Sequence, residues 1–206
     1  MSQGPRPARA RQTPRRRRTP EVAEQEIVAA AAALLRERPF RELTVDEVMR
    51  GTDLSRPSFY VYFRDRHHLV LRVVEHLGSE LFAIADSWLA GGGGRAEAHA
   101  ALEGIVAVYE EHGPVLRALA EAAAGDRDLE AAYEALVTRF IDGTVPHVSG
   151  ERAGDAEPRE VAAALVWMME RYLTQSLGRE PRTPAPVVVE ALARIWNRVL
   201  YDPAEA

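Results

Sequence analysis

Leu43 to Arg66, LTVDEVMRGTDLSRPSFYVYFRDR, is the stretch on which the reading of this 206-residue chain turns. It reads as two short helices joined by a tight turn. Thr44 is placed to cap the first helix, and Glu47, three residues on, can reach back to the cap; this is the capping-box pattern. Val45 and Val48 share one face of that helix. Gly51 follows, and the expectation is a left-handed residue that ends the helix without a steric penalty. Leu54 plugs the turn, Ser55 caps the second helix, and Pro57 lies in its first turn, where a missing N–H does little harm. Phe59 and Phe63 are four apart and turn inward, which leaves Arg56, Ser58, Tyr60 and Tyr62 largely outside. Such a pair of helices is a helix-turn-helix, and the second one, rich in hydroxyls and phenols, suits the major groove of DNA. Arg56, Ser58 and Phe59 are the candidates for base edges. Thr44, Ser55, Tyr60, Tyr62 and Arg66 are the candidates for phosphates, contacts that position a protein without reading sequence.

Upstream, residues 21–37 repeat apolar positions at helical spacing, with Ile27, Ala31, Leu34 and Leu35 on one stripe. Pro39 stops that helix, and Phe40 and Leu43 face the same small core. Residues 21–65 therefore read as a three-helix DNA-binding domain. Residues 1–20 hold seven Arg and four Pro and almost nothing apolar. That composition cannot offset the entropy of ordering, so a disordered arm is expected, with Arg15 to Arg18 available to phosphates or the minor groove. Net charge is −5 overall, but it divides unevenly: residues 1–66 balance to +5 and residues 67–206 to −10. A basic N-terminal third on an acidic body is the footprint of a protein that meets DNA at one end.

Residues 66–206 read as a second, larger helical domain. Asp65 caps a long helix from about 66 to 89, with Leu69, Val73, Leu77, Leu81 and Ile84 on one stripe. It runs out of the DNA-binding domain, so tilting its far end moves the second helix of the motif. After the glycine run 91–94, helices are expected at about 95–112, 114–123, 128–145, 159–177 and 184–201, with a loop from Pro146 to Pro158. His67 and His68 are adjacent and read as solvated surface. The last two helices are apolar around most of their circumference, which calls for cover on a second side. A second copy of the chain is the simplest cover, with Tyr172, Leu192, Ile195 and Val199 at the dimer interface. A homodimer also matches a palindromic operator, with half-sites ~34–36 Å apart or a multiple of that.

The run SRPSFYVYFRDR resembles the recognition helix and following turn of TetR-family transcriptional regulators, with Tyr at 60, an aromatic at 62, Phe at 63 and a basic residue at 66. The resemblance implies an all-α fold and a DNA-binding repressor. The segments from Ala164 through Glu170-Arg171 and from Arg194-Ile195-Trp196 to Tyr201 are similar to one branch of that family, whose body holds a long, aromatic-lined channel for apolar ligands. By that resemblance residues 66–206 form the ligand-binding and dimerisation domain, and Trp196, Tyr133 and Phe140 fall on pocket aromatics; Tyr109, another aromatic at helical spacing in the same body, is taken as a further ligand-binding candidate. Two asparagines of the branch are replaced by Val166 and Met169, and a phenylalanine by Thr174. Loss of two amides favours a more apolar ligand, since a pocket specifies partners through its few polar groups.

The functional expectation is a sequence-specific repressor released from its operator by a small, largely apolar ligand. The alternative is a nonspecific or architectural nucleic-acid-binding dimer driven by the arginine arm, whose affinity falls steeply with salt. An enzyme is not expected: there is no Ser/His/Asp ordering, nucleotide-binding glycine loop or metal cluster, and no cofactor is implied. The absence of cysteine suits a reducing cytoplasm. The longest apolar run, 161–169, falls short of the roughly 20 residues of a membrane span, and the arginine-rich start lacks the apolar core of a signal peptide.

Overall fold

The computed structural model describes residues 19–148 and 157–201, so the arginine arm and most of the expected 146–158 loop lie outside it. Among the described residues the chain is helical, with no strand. Helix α1 spans Pro20–Glu37, with the Thr19 hydroxyl accepting from the Val22 N–H at 3.4 Å and a proline in its first turn. Pro20 thus belongs to the helix and not to the arm. Ala23, Ile27, Ala31 and Leu35 form its buried stripe. A short 3-10 turn, Phe40–Glu42, leads to α2, Val45–Arg50, and α3, Arg56–Tyr62.

Thr44 caps α2 as expected, but Glu47 reaches back to the Thr44 hydroxyl and not to its main-chain N–H, so the capping box is only half formed. The Thr44 hydroxyl accepts from the Glu47 N–H at 3.3 Å and donates to the Glu47 carboxylate at 2.6 Å. Gly51, by contrast, has φ −81°, an ordinary right-handed value, so the left-handed expectation is overturned. What its missing side chain provides is a close approach: a Cβ there would lie 3.3 Å from both Ala30 Cβ and the Val48 carbonyl. Ser55 sits at the N-cap position of α3 but caps nothing; its hydroxyl is 2.8 Å from that of Ser58. Phe59 and Phe63 are buried and pack against each other with ring centroids 5.4 Å apart.

Helix α4, Arg66–Ser87, starts at Asp65, whose carboxylate accepts from the His68 N–H at 2.9 Å. Its buried positions run from Leu69, Val70 and Val73 near the start to Leu77, Leu81 and Ala85 near the end. All six belong to the one core that also takes in Phe59 and Phe63 on one side and Phe140 and Met169 on the other. Each buried leucine or valine contributes ~1.5–3 kcal/mol. The two histidines are not simple solvated surface. His67 is hydrogen-bonded to Asp126 at 2.5 Å and meets Phe40 edge-on at 5.0 Å, and His68 accepts from the Arg64 N–H at 3.2 Å. Asp126 also accepts from the N–H groups of Asp128 and Leu129 at the start of the next-but-one helix. The Leu129 bond and His67 together hold its carboxyl below the usual range. Further ties join the two parts of the chain: Arg72 reaches Glu24 at 2.7 Å, and Arg36 reaches His112 at 3.1 Å.

A π-helical turn, Trp88–Gly92, leads to α5, a single helix from Arg95 to Ala123. The expected break at Pro114 does not occur. Proline lacks the N–H that would bond the Glu110 carbonyl, four residues earlier. Arg182, from the connection that follows the next-but-one helix, donates to that carbonyl instead at 2.7 Å. Then come α6, Arg127–Thr144, a short turn at Val145–His147, α7, Pro158–Leu177, and α8, Ala185–Leu200. Helix α5 packs against α1, α4, α6, α7 and α8. At Gly113 it touches the end of α7 so closely that a Cβ would lie 2.5 Å from the Leu177 carbonyl oxygen. Arg117 Nε donates to the Gly178 carbonyl at 2.9 Å and fastens the same crossing.

Backbone cannot yield as a side-chain tip can, so Gly113→Ala should destabilise the fold by ~1–3 kcal/mol. Gly125→Ala, where a Cβ meets only the Ala122 carbonyl at 3.9 Å, should leave the melting temperature unchanged or slightly raised. Thermal unfolding of the two variants checks the difference.

Candidate functional site

Two places on the molecule concentrate chemistry. The first is the outer face of α3. Tyr60 is 54% exposed and Val61 75%, the highest among the large apolar side chains left uncovered. Arg56 is exposed and held by Asp46 of α2 at 2.5 Å, with its guanidinium 5.9 Å from the Tyr60 ring centre. Ser58 and Tyr62 are half-buried at the edges of this face. Thr44 and Ser55 are exposed at the N-termini of α2 and α3.

Two of the residues singled out in the sequence are otherwise engaged. Phe59 is fully buried in the core beneath the helix, so it cannot meet a base edge; its spacing with Phe63 had already turned it inward. Arg66 donates to the main-chain carbonyls of Arg41 and Leu43 at 3.2 and 3.1 Å and lies 5.0 Å over the Phe40 ring. Its guanidinium braces the 3-10 turn against the start of α4 instead of standing free for a phosphate. The residue missed was Val61. The signal was there: an apolar, β-branched residue off the Phe59–Phe63 stripe has no core to enter.

The second place is a narrow cavity of about 50 Å³ between α4, α5, α6 and α7. Tyr109, Tyr133, Phe140, Val166 and Met169 all line it, as the sequence suggested, and Leu81 of α4 forms part of the wall. Trp196 does not. It is buried against Trp88 beside a separate void of about 10 Å³, which Phe140, Met169 and Ile105 divide from the larger one. The Trp196 indole Nε1 is buried and has no acceptor among the described residues.

One charged side chain lines the larger cavity, Glu170, which sequence reasoning passed over because an isolated glutamate on a helix reads as surface. The Thr174 hydroxyl donates to it at 2.8 Å, and the Tyr133 phenol lines the same cavity. Burial and the neighbouring Glu170 carboxylate push Tyr133 far above the usual phenol range; burial and the same charge do so to Tyr109. Both phenols are therefore neutral and able to donate.

On the outside of α7 and α8, Trp167, Val187 and Ile195 are exposed, and Tyr172 and Val199 are half-buried. Leu192 is 1% exposed and already spent on the subunit's own core, so it is not available to a partner. Among the described residues no cluster of His, Cys, Asp or Glu could hold a metal ion, and no helix is long and apolar enough to cross a membrane.

Comparison with known proteins bears on both places. Residues 27–73 match the family model of bacterial regulatory proteins of the tetR family, and residues 98–202 match that of the C-terminal domain of the transcriptional regulator EthR. The HTH-type transcriptional regulator EthR of Mycobacterium tuberculosis is 29% identical over 211 residues, spanning 91% of this chain and 93% of the relative. Its counterpart in Mycolicibacterium smegmatis is 28% identical over 202 residues, 92% and 93% of the two chains. A transcriptional regulator from Rhodococcus sp. superposes with a TM-score of 0.74 at 19% identity, covering 86% of this chain and 96% of the other. The chain belongs to the TetR family of bacterial transcriptional regulators, with a C-terminal domain of the EthR type.

Proposed function

We propose that this protein is a dimeric repressor that a small hydrophobic ligand releases from its operator. One observation carries the reading: Leu81, in the cavity wall, lies on the same helix whose first turn is joined to the end of α3, where His68 packs edge-on against Phe63. A cavity of about 50 Å³ is far below the ~300–1,000 Å³ of a typical ligand site, so an effector must push its walls apart. Moving α4 outward at Leu81 turns its other end, and with it α3 in each half of a dimer. Two recognition helices then no longer fit half-sites on one face of the duplex. The unpartnered Trp196 N–H beside the smaller void suits an effector whose acceptor group reaches past Phe140 and Met169. The protein acts in the cytoplasm, where its DNA is.

Arg56, Ser58 and Val61 are the residues proposed to meet base edges, Val61 through apolar contact with a thymine methyl. Thr44, Ser55, Tyr60 and Tyr62 are proposed to hold phosphates. The second subunit is proposed to cover Trp167, Val187, Ile195, Tyr172 and Val199, a mostly apolar face continuous across α7 and α8.

Gel-shift titration with the DNA flanking its own gene, against random competitor, tests the reading. A shift that survives competition is expected; one lost equally to any DNA would leave only nonspecific binding. Tyr60→Phe should weaken all DNA alike, whereas Ser58→Ala and Val61→Ala should change the preferred sequence at a cost of ~1–3 kcal/mol at the altered base pair. Arg66→Ala should lower the melting temperature without flattening the salt dependence of binding. Ile195→Glu should sediment as a monomer and lose the operator.

A further inference from the structure

The larger cavity is almost wholly apolar, yet its polar end is a carboxylate. Glu170 sits on α7 between Tyr133 of α6 and Thr174, one turn further along α7, with Tyr109 of α5 within reach of Thr174. No arginine or histidine among the described residues pairs with it. The chain is not short of arginine for the purpose. Arg38, Arg56, Arg72, Arg117, Arg159 and Arg182 each hold a carboxylate elsewhere. Nor is the carboxylate saturated. Its two oxygens offer about four acceptor sites, of which Thr174 takes one. The group that touches it donates, so its unfilled positions can accept a further donor and would repel an anion. Glu170 is half-buried, and Leu81, Val166, Met169 and Leu173, which line the cavity with it, solvate no charge and offer no competing hydrogen bond.

We propose that the effector is a hydrophobic cation: an amine whose charged nitrogen seats against Glu170 while its apolar part enters between α4, α5, α6 and α7. This rests on the cavity being the effector site. An apolar body explains the apolar walls, and a positive head explains a carboxylate left without a counter-ion at their end. A neutral alcohol of the same shape could bond the carboxylate but would forgo the charge, and a carboxylic acid would be repelled. A bond to a charged donor exceeds a neutral one by enough to give on the order of tenfold in affinity.

The test uses the full chain with 4-phenylbutylamine, 4-phenylbutan-1-ol and 4-phenylbutanoate, read by isothermal titration and by release of operator DNA. In the wild type the amine should bind on the order of tenfold more tightly than the alcohol, and the acid should not bind. Glu170→Gln keeps an oxygen that accepts from Thr174 but removes the charge. It should bring the amine down to the alcohol's affinity and leave the alcohol unchanged. Equal affinities for amine and alcohol in the wild type, or an advantage that persists in Glu170→Gln, would overturn the cationic head and leave the cavity as the effector site. Equal loss of both compounds in Glu170→Gln would show a purely structural glutamate and overturn it too. If none of the three binds while Leu81→Ala, which enlarges the cavity, still admits none, the cavity is no effector site and both readings fall.

Discussion

Everything in this molecule depends on one helix, α4, whose start is tied to the helix-turn-helix and whose end reaches the cavity of the body. His68 packs against Phe63 at one end and Leu81 lines the cavity at the other, with Leu69 to Ala85 buried in the core that both ends share. No linker separates the two, so neither part can rotate without either moving the other or breaking a continuous run of main-chain hydrogen bonds. The side contacts reinforce this. His67 with Asp126, Arg72 with Glu24 and Arg36 with His112 lace the DNA-binding part to the body on more than one side. These are partly exposed pairs, each worth little alone. Their value is geometric: they set the angle at which α4 leaves the DNA-binding part.

How much of this could be read from the residues alone follows the range of the interactions concerned. The helix-turn-helix was legible because its determinants lie within four residues of one another: Thr44 with Glu47, Phe59 with Phe63, Asp65 with His68. Where a residue's partner lies far along the chain, the local rule misled. Gly51 looked like a left-handed terminus, but its smallness answers to Ala30 on another helix. Arg66 looked free for a phosphate, but the carbonyls of Arg41 and Leu43 hold it.

The cavity between α4, α5, α6 and α7 shows the same division. Five of the six candidates line it because the resemblance pointed to them, but neither resemblance nor periodicity says which side of a void a ring faces. Trp196 landed beside the smaller space and Leu192 in the subunit's own core. Glu170 was invisible for the opposite reason. On a wheel it is one more glutamate on a helix, and only the meeting of α5, α6 and α7 turns it into the charged end of an apolar chamber.

The proline inside α5 has a consequence for which changes this sequence can tolerate. Pro114 and Arg182 are one device: the arginine exists for the carbonyl that the proline leaves without a donor. Replacing Arg182 is costly only while Pro114 is present, because any other residue at 114 restores the N–H and fills the carbonyl from within the helix. The two positions are thus epistatic across most of the C-terminal domain. Relatives that lack the proline are free of any demand for a donor at 182, and a lineage that acquires it must carry that donor first or pass through a destabilised intermediate.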